Sequence, residues 1–188
     1  MPHLPQDALY IPNFINSAEA GMFTNMIDGS DWRHDLKRRV QHYGYRYDYR
    51  SRSVMDADYL GPIPEWISGI NRRLVSEGIF AQLPDQMIVN EYEPGQGIAA
   101  HVDCVPCFAN TIASLSLGSS CEMVFSHQKS GNKKSVILEA NSLLVLCGEA
   151  RYDWTHSIPA RKSDLIDGIR VSRSRRLSLT FRNVMLSD

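Results

Sequence analysis

The chain has 188 residues, of which 43% are hydrophobic and 22% charged, and its formal net charge is −1. This composition is typical of a globular domain with its own core, and it excludes a disordered, collagen-like or membrane-spanning polypeptide. The first residues contain neither a basic nor an apolar targeting segment. We therefore expect a cytoplasmic monomer that makes no contact with membranes.

Two amphipathic helices are predicted in the first part of the chain. Asn16 or Ser17 caps the first helix, which carries apolar residues at helical spacing and closes at Gly29. The second helix begins at Pro62 and ends at Gly78. Its apolar residues share one face: Ile63, Trp66, Ile67, Ile70 and Leu74.

Between the helices, residues 38–49 alternate in a pattern that predicts a β-hairpin with its turn near Gly44. Every second residue here is a tyrosine: Tyr43, Tyr45, Tyr47 and Tyr49. The segment 34–52 holds six basic and two acidic residues, and the segment 161–182 holds seven and two. Cations beside aromatic rings suit a nucleic-acid backbone and its bases, although a solvated basic hairpin is the simpler interpretation.

From Pro84 onwards the helical spacing gives way to short extended runs. Candidate strands are 86–92, 111–117, 121–126, 135–139, 142–147, 155–158 and 176–184. Helices followed by many strands indicate an α+β, mainly β fold, in which two N-terminal helices cover an antiparallel sandwich or jelly roll. We expect one domain over residues 1–188, with helices and hairpin in 1–84 and the jelly-roll core in 85–184.

A candidate metal site begins at His101-Val-Asp103, because residues two apart on a strand project to the same side. His156 is the best candidate for a third ligand, since it follows an apolar strand. Two imidazoles and one carboxylate on one face of a metal form the triad of non-haem Fe(II) oxygenases.

Cys104 and Cys107 form a C-x-x-C directly after Asp103. The pattern leaves zinc binding, redox chemistry and an ordinary loop open, and no second cysteine pair completes a zinc site. Four cysteines in a chain of this length do not indicate a disulfide framework.

The last predicted strand has a polar and an apolar face. Period two places Arg176, Ser178, Thr180 and Arg182 on one side, and Leu177, Leu179 and Phe181 on the other. Asn90 and Tyr92 likewise share one side of the first core strand. An arginine on such a face suits a buried carboxylate, because its planar fork donates two parallel hydrogen bonds.

Together these residues resemble the AlkB-like oxygenases, which depend on Fe(II) and 2-oxoglutarate. The matching motifs stand in the order Asn90-x-Tyr92, His101-x-Asp103, His156 and Arg176 with Arg182. The resemblance runs from about residue 85 to 184, and several segments are similar to the oxygenase domain of the homologue that hydroxylates wobble uridines in tRNA. Residues 38–45 are similar to the nucleotide-recognition region of that subgroup.

The resemblance implies a double-stranded β-helix in which His101, Asp103 and His156 hold iron. It further implies that Arg176 pairs with the distal carboxylate of 2-oxoglutarate, that Asn90 and Tyr92 donate to this cosubstrate, and that Arg182 supports the end near the metal. The reaction would consume O2, release succinate and CO2, and hydroxylate a C–H bond of a modified or methylated nucleobase in a nucleic acid, with tRNA preferred and RNA somewhat favoured over DNA. Candidate substrate contacts are Arg38, Arg39, Tyr43 and Tyr45.

One departure from the family concerns the substrate. Many base-demethylating members carry an acidic residue two positions after the metal carboxylate, where this chain has Val105. Demethylation and stable side-chain hydroxylation therefore both remain open. So do a protein or small-molecule hydroxylase with the same chemistry and a non-catalytic binding protein on the same fold.

Overall fold

The computed structural model describes residues 4–34 and 36–186. The strands are β1 (Ala8–Ile11), β2 (Val40–Tyr43), β3 (Gln86–Tyr92), β4 (Ile98–His101), β5 (Ile112–Gly118), β6 (Cys121–His127), β7 (Lys133–Leu138), β8 (Leu143–Leu146), β9 (Trp154–Ile158), β10 (Ser163–Ile166), β11 (Ile169–Ser172) and β12 (Arg176–Arg182). The α-helices are α1 (Ser17–Asp28), α2 (Glu65–Ser76) and α3 (Gly148–Tyr152). Within these ranges, no helix has the length and apolar character needed to cross a membrane.

Both predicted N-terminal helices are confirmed. Asn16 caps α1, where its side chain accepts from the Glu19 backbone while the Glu19 side chain accepts from the Asn16 backbone, both at 2.9 Å. This reciprocal capping box satisfies two amide groups that a helix start leaves without partners. Helix α2 starts three residues later than predicted, after Pro64, and its C-cap is Glu77.

The larger sheet has six strands in the order β1-β8-β5-β12-β3-β2, and all neighbours are antiparallel. One face packs against α1 and α2 in a single apolar cluster, to which β12 contributes Leu177, Leu179 and Phe181. The predicted apolar side of this strand is therefore the side that the helices cover. Burial of these side chains anchors β12 in the centre of the sheet.

A second sheet has the order β4-β9-β6-β7. Its apolar residues meet those of the larger sheet in another buried cluster, which includes Phe125 from β6 and Leu144 and Leu146 from β8. The mainly β, jelly-roll prediction is confirmed. Residues 1–84 also supply β1 and β2 to the larger sheet, which the sequence patterns did not indicate, and β10 with β11 forms a separate two-stranded ribbon.

The predicted hairpin around Gly44 is wrong. Strand β2 pairs with β3 along its whole length and does not fold back on the residues that follow Gly44. The reversal comes later, where Asp48 bridges to Ser53. Gly44 has a φ of +76°, and a Cβ atom there would lie 1.8 Å from the carbonyl oxygen of Asp85. The glycine thus permits a close crossing of two backbone segments rather than a hairpin turn.

We expect Gly44→Ala to lower the free energy of unfolding by about 2 kcal/mol or more, because a Cβ atom is disfavoured at this φ and also meets backbone. Chemical denaturation with a fluorescence readout measures the change. Gly69→Ala in α2 is the matched control, since nothing lies within 4 Å of its added Cβ atom. Equal stability of the two variants would contradict the close crossing.

Candidate active site

The structure brings the three predicted metal ligands together. His101 at the end of β4 lies directly opposite His156 on β9, and Asp103 follows two residues after β4. The ligand atoms of the three side chains all lie within 4.8 Å of one another. Among the described residues this is the one cluster of at least three metal-binding side chains.

Asp103 presents one of its oxygens to the histidines and the other to an arginine. Its Oδ1 lies 3.4 Å from His101 Nε2 and 3.5 Å from His156 Nε2. Its Oδ2 accepts from Arg182 Nε at 2.8 Å and contacts Arg182 Nη2 at 2.7 Å. Burial raises the pKa of Asp103, but the Arg182 charge and the histidine contacts outweigh it and hold the pKa well below its usual range. The carboxylate is therefore ionised, as a metal ligand must be.

Both histidines turn Nε2 towards the same carboxylate oxygen, Oδ1 of Asp103. His101 Nδ1 lies 2.8 Å from the carbonyl oxygen of Ala99, and since a carbonyl only accepts, Nδ1 carries the proton. Its Nε2 is then the ring nitrogen that faces Asp103. Burial lowers the pKa of His156, against the opposing effect of Asp103, so this imidazole is neutral at neutral pH. Neutral imidazoles and one carboxylate are the donor set that suits Fe(II).

Arg151 is a supporting residue that the sequence patterns did not reveal. It is buried in α3, and it donates to the carbonyl of Asp103 at 2.9 Å and to that of Cys104 at 3.2 Å. These hydrogen bonds fix the backbone at Asp103, whose carboxylate is a predicted metal ligand. No periodic pattern could identify it, because α3 has only five residues.

Cys104 and Cys107 are joined by a disulfide. A tight turn, in which the Cys107 amide donates to the Cys104 carbonyl, brings their Cα atoms to 5.3 Å, well within the range that a disulfide spans. Both sulfur atoms lie against the carbonyl oxygen of Arg52, at 3.2 and 3.3 Å. The sequence prediction left this pair open and did not anticipate the bond. Val105, between them, is 49% exposed.

A cavity of about 370 Å³ lies between the two sheets, with the metal cluster in its wall. Ser178, Thr180 and Arg182 of β12 line it, as the predicted polar face requires, and so do Asn90 and Tyr92. Small-molecule sites commonly have volumes of about 300–1,000 Å³. The space is therefore sufficient for a cosubstrate and part of a substrate beside the metal cluster.

Arg176 lies next to this cavity, behind Tyr92. The two residues are direct partners across β12 and β3, and the guanidinium carbon is 5.5 Å from the ring centroid. Arg176 is 2% exposed and donates from Nη2 to Ser116 Oγ at 2.8 Å. Its Nε and Nη1 have no hydrogen-bond partner in the described part of the chain. Two buried guanidinium nitrogens without partners, which together carry three N–H bonds, fit an incoming carboxylate.

Of the four predicted substrate contacts, Arg38 lines the cavity and Arg39 does not. Arg39 turns away and forms an ion pair with Glu91, with Nη2 2.9 Å from Oε1, and its guanidinium carbon lies 4.4 Å from the ring centroid of Trp32. Arg38 and Arg39 are adjacent in the sequence but therefore lie in different environments, Arg38 in the cavity wall and Arg39 in an ion pair outside it.

Tyr43 and Tyr45 are also absent from the cavity wall. Tyr43 packs edge-on against Trp66 of α2, and Tyr45 packs against Tyr59, with ring centroids 6.0 and 5.1 Å apart. Substrate contact by Arg39, Tyr43 and Tyr45 stays a prediction that their placement does not favour.

The next residues of the same segment line the cavity instead, and because Arg52 is exposed and Tyr47 and Tyr49 are half-buried, we call this outer part of the wall the mouth. Tyr47, Tyr49 and Arg52 line it, with the two tyrosine rings at 5.0 Å in an edge-to-face arrangement. Tyr47 also packs against Phe108, with ring centroids 5.6 Å apart. The mouth therefore combines aromatic surface with a cation.

A protein-family model described as the 2OG-Fe(II) oxygenase superfamily matches residues 7–182. The chain belongs to this superfamily. Membership confirms the predicted enzyme class and its reagents, which are Fe(II), 2-oxoglutarate and O2. The donor set at His101, Asp103 and His156 and the unpaired N–H groups of Arg176 fit the metal and the cosubstrate.

Relatives confirm the predicted AlkB-like character of this oxygenase. The tRNA (carboxymethyluridine(34)-5-O)-methyltransferase ALKBH8 of Mus musculus is 38% identical, over 96% of this chain and 31% of the relative. The alkylated DNA repair protein ALKBH8 homolog of Arabidopsis thaliana is 36% identical, over 93% of this chain and 57% of the relative. The chain thus spans about a third of the length of the first relative and over half of the second.

Solved structures agree with the fold. The structure of OsALKBH1 superimposes with a TM-score of 0.68 at 19% sequence identity, covering 96% of this chain and 98% of the other. At this identity the likeness supports the jelly-roll architecture of the oxygenase and carries no conclusion about its substrate.

Proposed function

We propose that this oxygenase hydroxylates a C–H bond of a nucleobase in RNA. The observation that carries the proposal is a single cavity whose wall holds the His101, Asp103 and His156 cluster and whose mouth holds Tyr47, Tyr49 and Arg52. The cluster would bind the iron at which the substrate is oxidised. The mouth supplies the surface for a base and its phosphate.

The protein side of the reaction is binding and orientation. His101, Asp103 and His156 would hold Fe(II), and Arg182 keeps Asp103 ionised and binds its Oδ2, which leaves Oδ1 on the side of the two histidines. Arg176 takes the distal carboxylate of 2-oxoglutarate, and Asn90 and Tyr92 contact the cosubstrate from β3. Iron bound there would couple the reduction of O2 to the oxidative decarboxylation of 2-oxoglutarate, so that one oxygen atom of O2 would enter succinate, CO2 would be released, and the other oxygen atom would enter the substrate C–H bond.

A nucleobase fits the mouth for two physical reasons. Aromatic rings such as those of Tyr47 and Tyr49 stack on unpaired bases, and an arginine such as Arg52 contacts the adjoining phosphate. A base must leave its stack before an enzyme can act on it, which favours a single-stranded or loop substrate. The names of the relatives point to tRNA in one case and to alkylated DNA in the other, and we favour RNA because the tRNA-related protein is more similar over this chain.

The decisive experiment compares nucleosides from a deletion strain and its parent by mass spectrometry, followed by turnover of the candidate RNA with purified protein. A modified nucleoside that disappears in the deletion strain, together with RNA-stimulated succinate release, supports the proposal. Succinate release stimulated by peptides or small molecules alone would favour a hydroxylase of another substrate class. No release in an iron-loaded sample would favour a binding protein.

We expect Arg52→Glu to weaken binding of single-stranded RNA about tenfold at moderate salt, with a smaller effect as salt rises, because a phosphate contact becomes a repulsion. Fluorescence anisotropy at several salt concentrations measures it. Arg72→Glu on α2 is the control: it makes the same charge change on an exposed side chain that does not line the cavity. Equal losses in both variants would show a general charge effect and contradict a binding site at the mouth.

A further inference from the structure

Arg38 lines the cavity and lies against Asn90 and Tyr92 on β3. Its Nε donates to Asn90 Oδ1 at 2.8 Å, across 52 positions of sequence. Its guanidinium carbon lies 5.8 Å from the ring centroid of Tyr92. Arg38 therefore contacts both residues of the Asn-x-Tyr pair on β3.

The bond from Arg38 determines which way the Asn90 amide points. A guanidinium group only donates hydrogen bonds, so the atom of Asn90 that faces it must be the carbonyl oxygen. The two N–H groups of Nδ2 then point away from Arg38. No described residue accepts a hydrogen bond from Nδ2, although Asn90 is only 9% exposed and lines the cavity.

The orientation matters because of what surrounds the amide. Asn90 lies directly across from Ser178 on β12, and Tyr92 lies directly across from Arg176. Tyr92 is thus flanked by two cations, Arg38 at 5.8 Å and Arg176 at 5.5 Å. An oxygen-rich dianion beside this face meets an N–H donor at Asn90, provided that the amide is not turned over. An amide turned the other way would present its oxygen and repel the anion.

We propose that Arg38 is a positioning residue for the cosubstrate, which sets Asn90 as a hydrogen-bond donor to 2-oxoglutarate. The proposal rests on the proposed function, because it takes this cavity to be the 2-oxoglutarate site. It assigns Arg38 a role different from the nucleic-acid contact that its basic segment indicates. Arg38 acts through Asn90, so its effect on 2-oxoglutarate requires the Asn90 side chain.

A double-mutant cycle tests this requirement. Calorimetric titration of 2-oxoglutarate into the full-length protein loaded with Mn(II) gives a dissociation constant for the wild type, Arg38→Met, Asn90→Ala and the double variant. We expect Arg38→Met to weaken binding about tenfold, as for a lost orienting hydrogen bond, and to have no further effect on the Asn90→Ala background.

Arg39→Lys is the matched control, because it keeps a cation opposite Glu91 and lies outside the cavity wall. We expect it to leave 2-oxoglutarate affinity unchanged. Arg38→Lys separates charge from geometry: full affinity with lysine would show that the charge alone suffices and would overturn the proposal. Melting temperatures of all variants identify any loss of folding.

The remaining outcomes also decide. If Arg38→Met weakened 2-oxoglutarate binding equally with and without the Asn90 side chain, Arg38 would act independently of Asn90. This result would overturn the present inference but not the proposed function. If Arg38→Met lost RNA affinity and kept its 2-oxoglutarate affinity, the inference would likewise be overturned. A wild-type protein that binds metal but no 2-oxoglutarate would overturn the proposed function and this inference with it.

Discussion

Asp103→Asn is expected to lower metal affinity by at least about a hundredfold and to remove 2-oxoglutarate turnover. Asparagine keeps the shape of the side chain but removes the negative charge that both histidines and Arg182 surround. The half-buried Arg182 guanidinium then also loses its ionic partner, which leaves an uncompensated positive charge beside an incoming cation. Equilibrium dialysis with Mn(II), followed by metal analysis, measures the loss directly.

Asp164→Asn is the matched control for this variant. Asp164 is also a buried carboxylate held by arginines, with Arg161 Nε at 2.8 Å and Arg173 Nη2 at 2.7 Å, but it lies in the β10–β11 ribbon outside the metal cluster. We expect Asp164→Asn to lower the melting temperature and to leave metal stoichiometry intact. If both variants lost metal equally, the loss would reflect disturbed folding and the assignment of Asp103 as a ligand would fail.

The metal site was predictable because its signals are local or periodic. A histidine and a carboxylate two positions apart need little tertiary structure to share a side, and the alternation of β12 separates a polar face from an apolar one. His156 was harder to choose, since its position opposite His101 depends on the pairing of β4 with β9. His156 was predicted because it completes a ligand set with His101 and Asp103, and not because of a pattern in its own segment.

The cavity mouth was not predictable, because alternation breaks within the tyrosine segment. On a continuous strand Tyr43, Tyr45, Tyr47 and Tyr49 would share one face. Strand β2 ends at Tyr43, the chain bends at Gly44, and the residues beyond follow a path set by the bridges of Tyr45 to Tyr59 and of Asp48 to Ser53. The first two tyrosines consequently pack on Trp66 and Tyr59, and the last two reach the cavity.

The Cys104–Cys107 bond and the role of Arg151 share this dependence on tertiary structure. The cysteines are joined because the turn after Asp103 brings them together, and Arg151 comes from a helix 47 or 48 positions away to hold the carbonyls of that turn. The Arg151 contact does not follow from spacing, since residues this far apart in the chain meet only after folding, and the local C-x-x-C spacing permits a disulfide without requiring one. Strands could be predicted where the alternation of polar and apolar residues continues over many positions. Contacts between irregular segments could not be predicted from the sequence.

Arg176→Met is expected to remove about 2–5 kcal/mol of binding free energy for 2-oxoglutarate while leaving the free protein as stable as the wild type, or more stable. In the free protein Arg176 is a buried cation with Nε and Nη1 unpaired, so its removal relieves a desolvation cost. In the complex the same groups would pair with a carboxylate, so their removal costs affinity. Arg176→Lys keeps the charge but loses the planar fork of donors. Its 2-oxoglutarate affinity should lie between that of the wild type and that of Arg176→Met, with iron binding intact.

The opposite signs of these two effects separate a binding role from a structural one. Calorimetric titration of 2-oxoglutarate and thermal unfolding of the free protein measure them on the same samples. A residue kept for the fold would lose stability when replaced and would affect affinity only as far as folding fails. If Arg176→Met lowered the melting temperature and left 2-oxoglutarate affinity unchanged, the cosubstrate carboxylate would have to lie elsewhere in the cavity. Two guanidinium nitrogens of a buried cation that find no partner among the described residues are costly without a ligand, and this cost is the physical reason to expect one there.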